Sequence, residues 1–154
     1  QLTFDQSAKV IINHVTDGVR IAEKALLPKA VVDFIRTHHG LGKAKYFYNS
    51  FKNQYPDKEI DEKVFTYPGP NPFSKETAVL MMADSVEAAS RSLKEHTEES
   101  IKQLVDKIID GQIADGLLKS APLTFRDVET IKSVFVDKLK TMFHTRISYP
   151  DLKK

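Results

Sequence analysis

The stretch from Ser74 to Leu93, SKETAVLMMADSVEAASRSL, reads as one long helix. Ser74 can accept a hydrogen bond from the free amides of the first turn, no proline or glycine interrupts the segment, and Ala, Leu, Met and Glu favour helix. Ala78, Leu80, Met81, Val86, Ala88 and Ala89 are core material, so this helix is expected to be central and to pack against the first two helices of an all-α domain. Steps of three and four put Leu80, Met81, Asp84 and Ala88 on one face, which sets a carboxylate among residues expected to be buried. An unpaired buried carboxylate is costly, so Asp84 becomes a candidate for chemistry.

Working outward, Tyr67-Pro68-Gly69-Pro70-Asn71-Pro72 cannot continue a helix, because its prolines remove backbone donors and bias their neighbours toward extended conformations. It is expected to be an ordered loop or a lid. Upstream, Val10, Ile11, Val15, Val19, Ile21 and Ala22 recur at helical spacing between Ser7 and Ala25. Pro28 suits the start of a second helix that carries Val31, Phe34 and Ile35, ends at His38 and His39, and meets a left-handed cap at Gly40. A third, aromatic-rich helix covers Lys43 to Gln54 and stops before Pro56. Downstream, Thr97-Glu98-Glu99 opens a helix with the stripe Ile101, Leu104, Val105, Ile108 and Ile109, which Gly111 or Gly116 ends or interrupts. Thr124 and Asp127 have capping-box spacing ahead of a last amphipathic helix through Phe143. No strand pattern, repeat or low-complexity segment is present, and the tail beyond Pro150 reads as a frayed end.

Composition narrows the function classes. With 154 residues, 41% of them hydrophobic, one core is the default. Lys+Arg 23 against Asp+Glu 21 leaves a formal charge of +2, which argues against a nucleic-acid polymer as partner. There is no cysteine, so any metal must be held by histidine and carboxylate. The longest apolar runs, such as Ala78 to Ala83, are too short to span a bilayer, so a soluble segment without membrane contact is expected.

Three histidines join Asp84. Val10, Ile11, His14, Gly18 and Ile21 share one side of the first helix, so His14 is expected to face inward; His38 continues the Val31, Phe34, Ile35 stripe and His39 lies one position round. Each has an ordinary reading. His14 alone is more often a hydrogen-bonded core histidine, His38-His39 can simply favour a helix C-terminus, and Asp84 can pair with Arg91. Together, three imidazoles and a carboxylate suit Zn, Fe or Mn and hydrolytic chemistry. His96 and His144, in polar surroundings, are expected at the surface.

The segments Ala8 to Val19, Leu27 to Gly40, Tyr67 to Pro70 and Ala78 to Arg91 together resemble the membrane-anchored HD-domain phosphohydrolases that carry a seven-helix membrane region. The likeness spans nearly the whole chain with its pieces in the right order. The proline loop and Asp84-Ser85-Val86-Glu87-Ala88-Ala89 make it specific, since neither is a general HD feature.

The resemblance implies hydrolysis of cyclic di-AMP to the linear dinucleotide by two metal ions, iron or manganese, in a cytoplasmic helical domain of a membrane protein. It implies His14, His38 and His39 as ligands of one ion and Asp84 as a ligand of the other, with a catalytic role. The family also uses an earlier histidine and a His-Asp dyad whose aspartate bridges the metals. No histidine here precedes an aspartate, so residues 1–154 are expected to be the C-terminal part of an HD domain, holding at most one ion and nearly inactive alone. Arg91, Lys43 and Lys45 are candidates for phosphate contacts and Tyr46 or Tyr67 for stacking on adenine, each with a plain surface role as the ordinary reading. Loss of covering helices is expected to expose apolar surface and promote self-association or a rearranged N-terminus. The competing functions are a nucleotide phosphohydrolase of other specificity and a non-catalytic helical regulatory module.

Overall fold

The computed structural model describes residues 1–144 and 151–152. Among the described residues six helices run in order: α1 Phe4–Lys24, α2 Lys29–Thr37, α3 Lys45–Gln54, α4 Lys75–Ser90, α5 Glu98–Ala114 and α6 Phe125–Met142, with a 3-10 turn at Glu62–Phe65. Among the described residues there is no strand, only an isolated bridge between Lys43 and Thr66. The all-α expectation holds. Apart from Asp151 and Leu152, the tail beyond Pro150 lies outside the described residues.

Local chemistry sets the helix ends. Ser74 and Thr77 form a capping box at the start of α4, Thr97 accepts from the Ser100 amide at α5, and Thr124 and Asp127 cap α6 reciprocally. Gly111 lies inside α5, and Gly116, with φ of +74°, takes the left-handed turn just beyond it. Helix α4 ends at Ser90, earlier than Leu93, and the His96 ring donates to the Ser90 carbonyl at 3.0 Å.

Two apolar clusters result. Ala78, Met81, Met82 and Val86 of α4 pack with Ile101, Val105 and Ile109 of α5 and with Val128 and Leu139 of α6. Each large apolar side chain fully buried there stabilises by roughly 1.5–3 kcal/mol. The second cluster joins Ala8 and Val15 of α1 to Ala44, Phe65 and Tyr67. Helix α2 lies between the halves, packed on α1 and on α4, whereas α4 does not contact α1 among the described residues. The expected packing of α4 on both early helices is therefore corrected to packing on α2 alone.

The faces of α1 and α4 need correcting too. Ala8, Val15 and Ala22 are buried, while Val10 is 63% and Ile21 62% exposed. Small alanines let α1 approach its neighbours closely, and the bulkier Val10, Ile11, Ile21 row faces out. On α4, Ala78, Met81, Met82 and Val86 turn inward, and Asp84 and Ala88 are exposed. Asp84 thus avoids the burial penalty the shared face implied. His96 is not the surface residue expected: it is half-buried with its ring stacked on Phe143 at 3.7 Å, and His144 is exposed.

Candidate metal centre

Three imidazoles converge where α1 meets the end of α2. His14 sits on α1 and is exposed; His38 is the C-terminal cap of α2; His39 comes next, outside the helix. The His38 Nδ1 meets the Ile35 carbonyl at 2.6 Å, and the His14 Nδ1 meets the Ile11 carbonyl. A carbonyl only accepts, so both Nδ1 atoms carry the proton, and in a neutral ring Nε2 is left with a lone pair. These two Nε2 atoms face each other at 3.1 Å.

Two lone pairs at that separation repel unless a cation, either a proton or a metal ion, stands with them. The third ring supplies the same kind of donor. Burial, then the neighbouring His38 and His14, push the His39 pKa down from 6.5 to about 4, so its ring is neutral at ordinary pH. Ligand nitrogens from all three rings lie within 4.8 Å of one another. Nitrogens bound to one tetrahedral metal at about 2.0–2.1 Å stand roughly 3.3 Å apart, close to the His14–His38 separation. This all-imidazole donor set fits a divalent transition metal.

The same arrangement of helices occurs in solved structures. The chain superposes on the HD domain of the Listeria monocytogenes phosphodiesterase PgpH, crystallised in complex with cyclic di-AMP, with a TM-score of 0.88 and 35% identity, covering 96% of this chain and 68% of that one. The chain belongs to the PgpH HD-domain family. A second structure of the same PgpH HD domain gives a TM-score of 0.85 at 33% identity, covering 93% of this chain and 66% of that one. The cyclic-di-AMP phosphodiesterase PgpH of Bacillus subtilis is 41% identical over 154 residues, all of this chain and 21% of that protein. Its Listeria counterpart is 36% identical over 153 residues, 99% of this chain and again 21% of the relative. The chain thus spans about a fifth of the PgpH relatives' length. No family model matches it.

The other candidate residues are not drawn into the trio. Asp84 is outside the three-histidine group and forms no hydrogen bond or ion pair among the described residues. It is close enough to Tyr67 for its charge to add to burial in raising the phenol pKa. Arg91 is held by Glu87 through two contacts of 2.8 and 2.6 Å, so the pairing with Asp84 that an ordinary reading allowed is not made. Lys43 pairs with Glu62 at 3.0 Å and Lys45 with Asp115 at 3.4 Å. Tyr46 is 74% exposed, free to meet a base. Tyr67 is only 7% exposed, and its ring already stacks on His39 with centroids 4.3 Å apart, so its expected exposure to an adenine is corrected.

Of the two readings of the proline loop, an ordered loop or a lid, the structure has the ordered loop, packed against the turn that carries His38 and His39. Asn71 accepts from the Leu41 amide at 2.9 Å, directly after the His38-His39-Gly40 turn. Gly40 has φ of +51°, and a Cβ there would come 2.6 Å from Asn71 Oδ1 and 2.7 Å from Met81 Cε. The His-His-Gly turn and the Tyr-Pro-Gly-Pro-Asn loop are therefore packed as a pair. Helical periodicity carries no signal for such a contact; the only hint in the sequence is the rigidity that three prolines impose.

Proposed function

We propose that the chain is the histidine-bearing part of a metal-dependent phosphodiesterase centre that hydrolyses cyclic di-AMP to the linear dinucleotide. The observation that carries this reading is the meeting of two Nδ1-protonated imidazoles through their Nε2 atoms, with neutral His39 beside them. The likeness to a PgpH HD domain crystallised with cyclic di-AMP supports the substrate.

In this reading His14, His38 and His39 hold one ion, and Asp84, on the neighbouring helix, serves a second. A divalent transition metal, iron or manganese, held by these residues would supply Lewis acidity for hydrolysis at phosphorus. The protein's own part is to present three deprotonated nitrogens. The Ile11 and Ile35 carbonyls fix the tautomer and ring direction of His14 and His38, and burial keeps His39 free of a competing proton. Tyr46, exposed and next to Lys45 in the chain, is the remaining candidate for a base-stacking contact.

The bridging carboxylate of a two-metal site has no counterpart here, because none of the histidines precedes an aspartate. Alone, the chain is therefore assigned one ion at most and little turnover. No described helix is long and apolar enough to cross a membrane. A cytoplasmic placement beside a membrane anchor accords with a cytoplasmic dinucleotide substrate. The exposed Val10, Ile21 and Leu26 on α1 and the turn after it support self-association of the isolated chain.

The test pairs two measurements. Manganese, or iron under reducing conditions, is titrated into the chain, and a longer chain extended upstream to include a His-Asp pair is assayed with cyclic di-AMP, cyclic di-GMP and nucleoside monophosphates. Metal binding by the chain and selective production of the linear di-AMP by the longer one are expected. Turnover of another nucleotide in preference would favour a phosphohydrolase of other specificity, and no metal binding would favour a non-catalytic helical module.

A further inference from the structure

We propose that Tyr67 is the positioning residue for His39, setting the plane of its imidazole so that a ring nitrogen points to the meeting place of His14 and His38. This rests on the metal-centre reading and assigns a residue that acts on a ligand from behind.

The three histidines are not held alike. His14 and His38 each tie Nδ1 to the carbonyl three residues earlier in their own helical turn, which fixes both rings. His39 lies beyond the end of α2 at Thr37, and its ring makes no hydrogen bond among the described residues. Its imidazole meets the His38 ring at 4.1 Å, tilted by 44°, and the His14 ring edge to face at 5.1 Å, so among these neighbours Tyr67 alone lies parallel to it and defines its plane. The two rings lie nearly parallel, 17° apart with centroids at 4.3 Å, and the same tyrosine meets His14 edge to face at 6.1 Å. One buried ring therefore borders two of the three candidate ligands.

A stacking partner positions another ring only if it is itself fixed, and Tyr67 is. Its amide donates to the Gly42 carbonyl at 2.8 Å, while the Gly42 amide donates to the His39 carbonyl at 2.9 Å. On one side of this pair the Ala44 amide donates to the Phe65 carbonyl at 2.7 Å, and on the other Asn71 accepts from Leu41. The segments 39–44 and 65–71 are thus laced together on both sides of the stacked rings. Ligands held by supporting contacts bind metal more tightly than ligands that must be ordered on binding.

The test uses the 154-residue chain with Tyr67→Phe, which keeps the ring, and Tyr67→Leu, which removes it. In the metal-free chain, the His39 ring protons should show an upfield ring-current shift by NMR that Phe keeps and Leu loses. With Co²⁺ as probe, affinity should fall about tenfold or more in Leu, the scale of lost support around a ligand, and stay within about twofold in Phe. Asn71→Ala, which loosens the loop without touching either ring, should lower affinity in the same direction and guards against Leu failing to fold. Unchanged Co²⁺ affinity in folded Leu, or in Asn71→Ala where Leu does not fold, overturns the proposal while leaving the metal centre intact. A wild-type chain that binds no Co²⁺ overturns the metal-centre reading and this one with it.

Discussion

The Nε2 atoms of His14 and His38, 24 residues apart in the chain, face each other at 3.1 Å with both Nδ1 protons committed to backbone carbonyls. Each ring therefore has its acceptor turned to the other, and the pair gains nothing until a cation joins it. That cation is either a proton shared between the rings or a metal ion, and the metal-binding experiments below separate the two.

Replacing His38 with Ala should reduce Mn²⁺ or Co²⁺ affinity at least about tenfold to a hundredfold, because even loss of a ligand's supporting partner has that effect. His14→Ala should do the same. Neither should lower the thermal midpoint of the metal-free chain appreciably, since each removes one of two facing lone pairs. Isothermal titration alongside thermal melts checks both halves, and retained affinity in either variant would remove that histidine from the centre.

Gly40 turns the chain from α2 into the segment that meets the proline loop. With φ of +51° and Asn71 and Met81 atoms within 2.7 Å of any added Cβ, Gly40→Ala meets backbone strain and a clash together. The expected cost is about 1–3 kcal/mol in denaturant unfolding. Because the clash lies next to His39, metal affinity should fall as well. A variant as stable as the wild type would show that the turn relaxes freely.

Helix positions, caps and the His38-His39-Gly40 turn were legible in the sequence because they depend on local chemistry. Spacing shows which residues share a face but not which face is covered. On α1 the rows Val10, Ile11, His14, Ile21 and Ala8, Val15, Ala22 both recur at helical spacing, and the second, not the first, is the covered one. His14 escapes burial for that reason, and remains beside His38 because the end of α2 comes up to the exposed side of α1. Asp84 was assigned inward from its i−4 and i+4 neighbours Leu80 and Ala88, whereas the neighbouring helices cover Met81, Met82 and Val86. Tyr67 against His39 is a contact between a loop and a turn, to which no periodicity applies.

The division into core and surface can be tested by contrast. Ile109 of α5, fully buried in the cluster shared with α4 and α6, should cost about 2–5 kcal/mol on change to Ala. Phe125 is larger but 94% exposed at the start of α6, and Phe125→Ser should stay within about 0.5 kcal/mol. Equal effects in denaturant melts would mean that the α4–α5–α6 packing is misplaced.

Asp127 gives stability a defined dependence on acid. The Thr124 amide at 3.0 Å and Lys75 at 2.9 Å hold its carboxyl below the usual value of 3.8. A carboxylate with a lowered folded pKa contributes fully above the unfolded value, and the contribution is lost as pH falls below 3.8 and through the folded value. Asp127→Asn should therefore be less stable than wild type near neutrality, with the two curves converging in acid. Thermal midpoints from about pH 6 to about pH 2.5 check this, and a constant gap throughout would assign the difference to something other than ionisation. Thr124→Ala, which removes the reciprocal cap, should cost about 1 kcal/mol at any pH where the helix is formed.

Asp84 separates the binding of one ion from the complete reaction. Its carboxylate is exposed on α4, outside the three-histidine group, with no ion pair among the described residues to be broken by its removal. Asp84→Ala in this chain should leave both fold and single-metal affinity within about twofold of wild type. In the longer chain carrying a His-Asp pair, the proposed role at a second ion makes the same change severe. Cyclic di-AMP hydrolysis should fall roughly a hundredfold or more, as when one contact made chiefly in a transition state is removed, and metal analysis should show the bound content dropping from two ions toward one. The two chains thus answer different questions with one substitution. If Asp84→Ala weakens the first ion in the short chain, Asp84 belongs to the histidine site after all; if turnover survives in the long one, it belongs to neither.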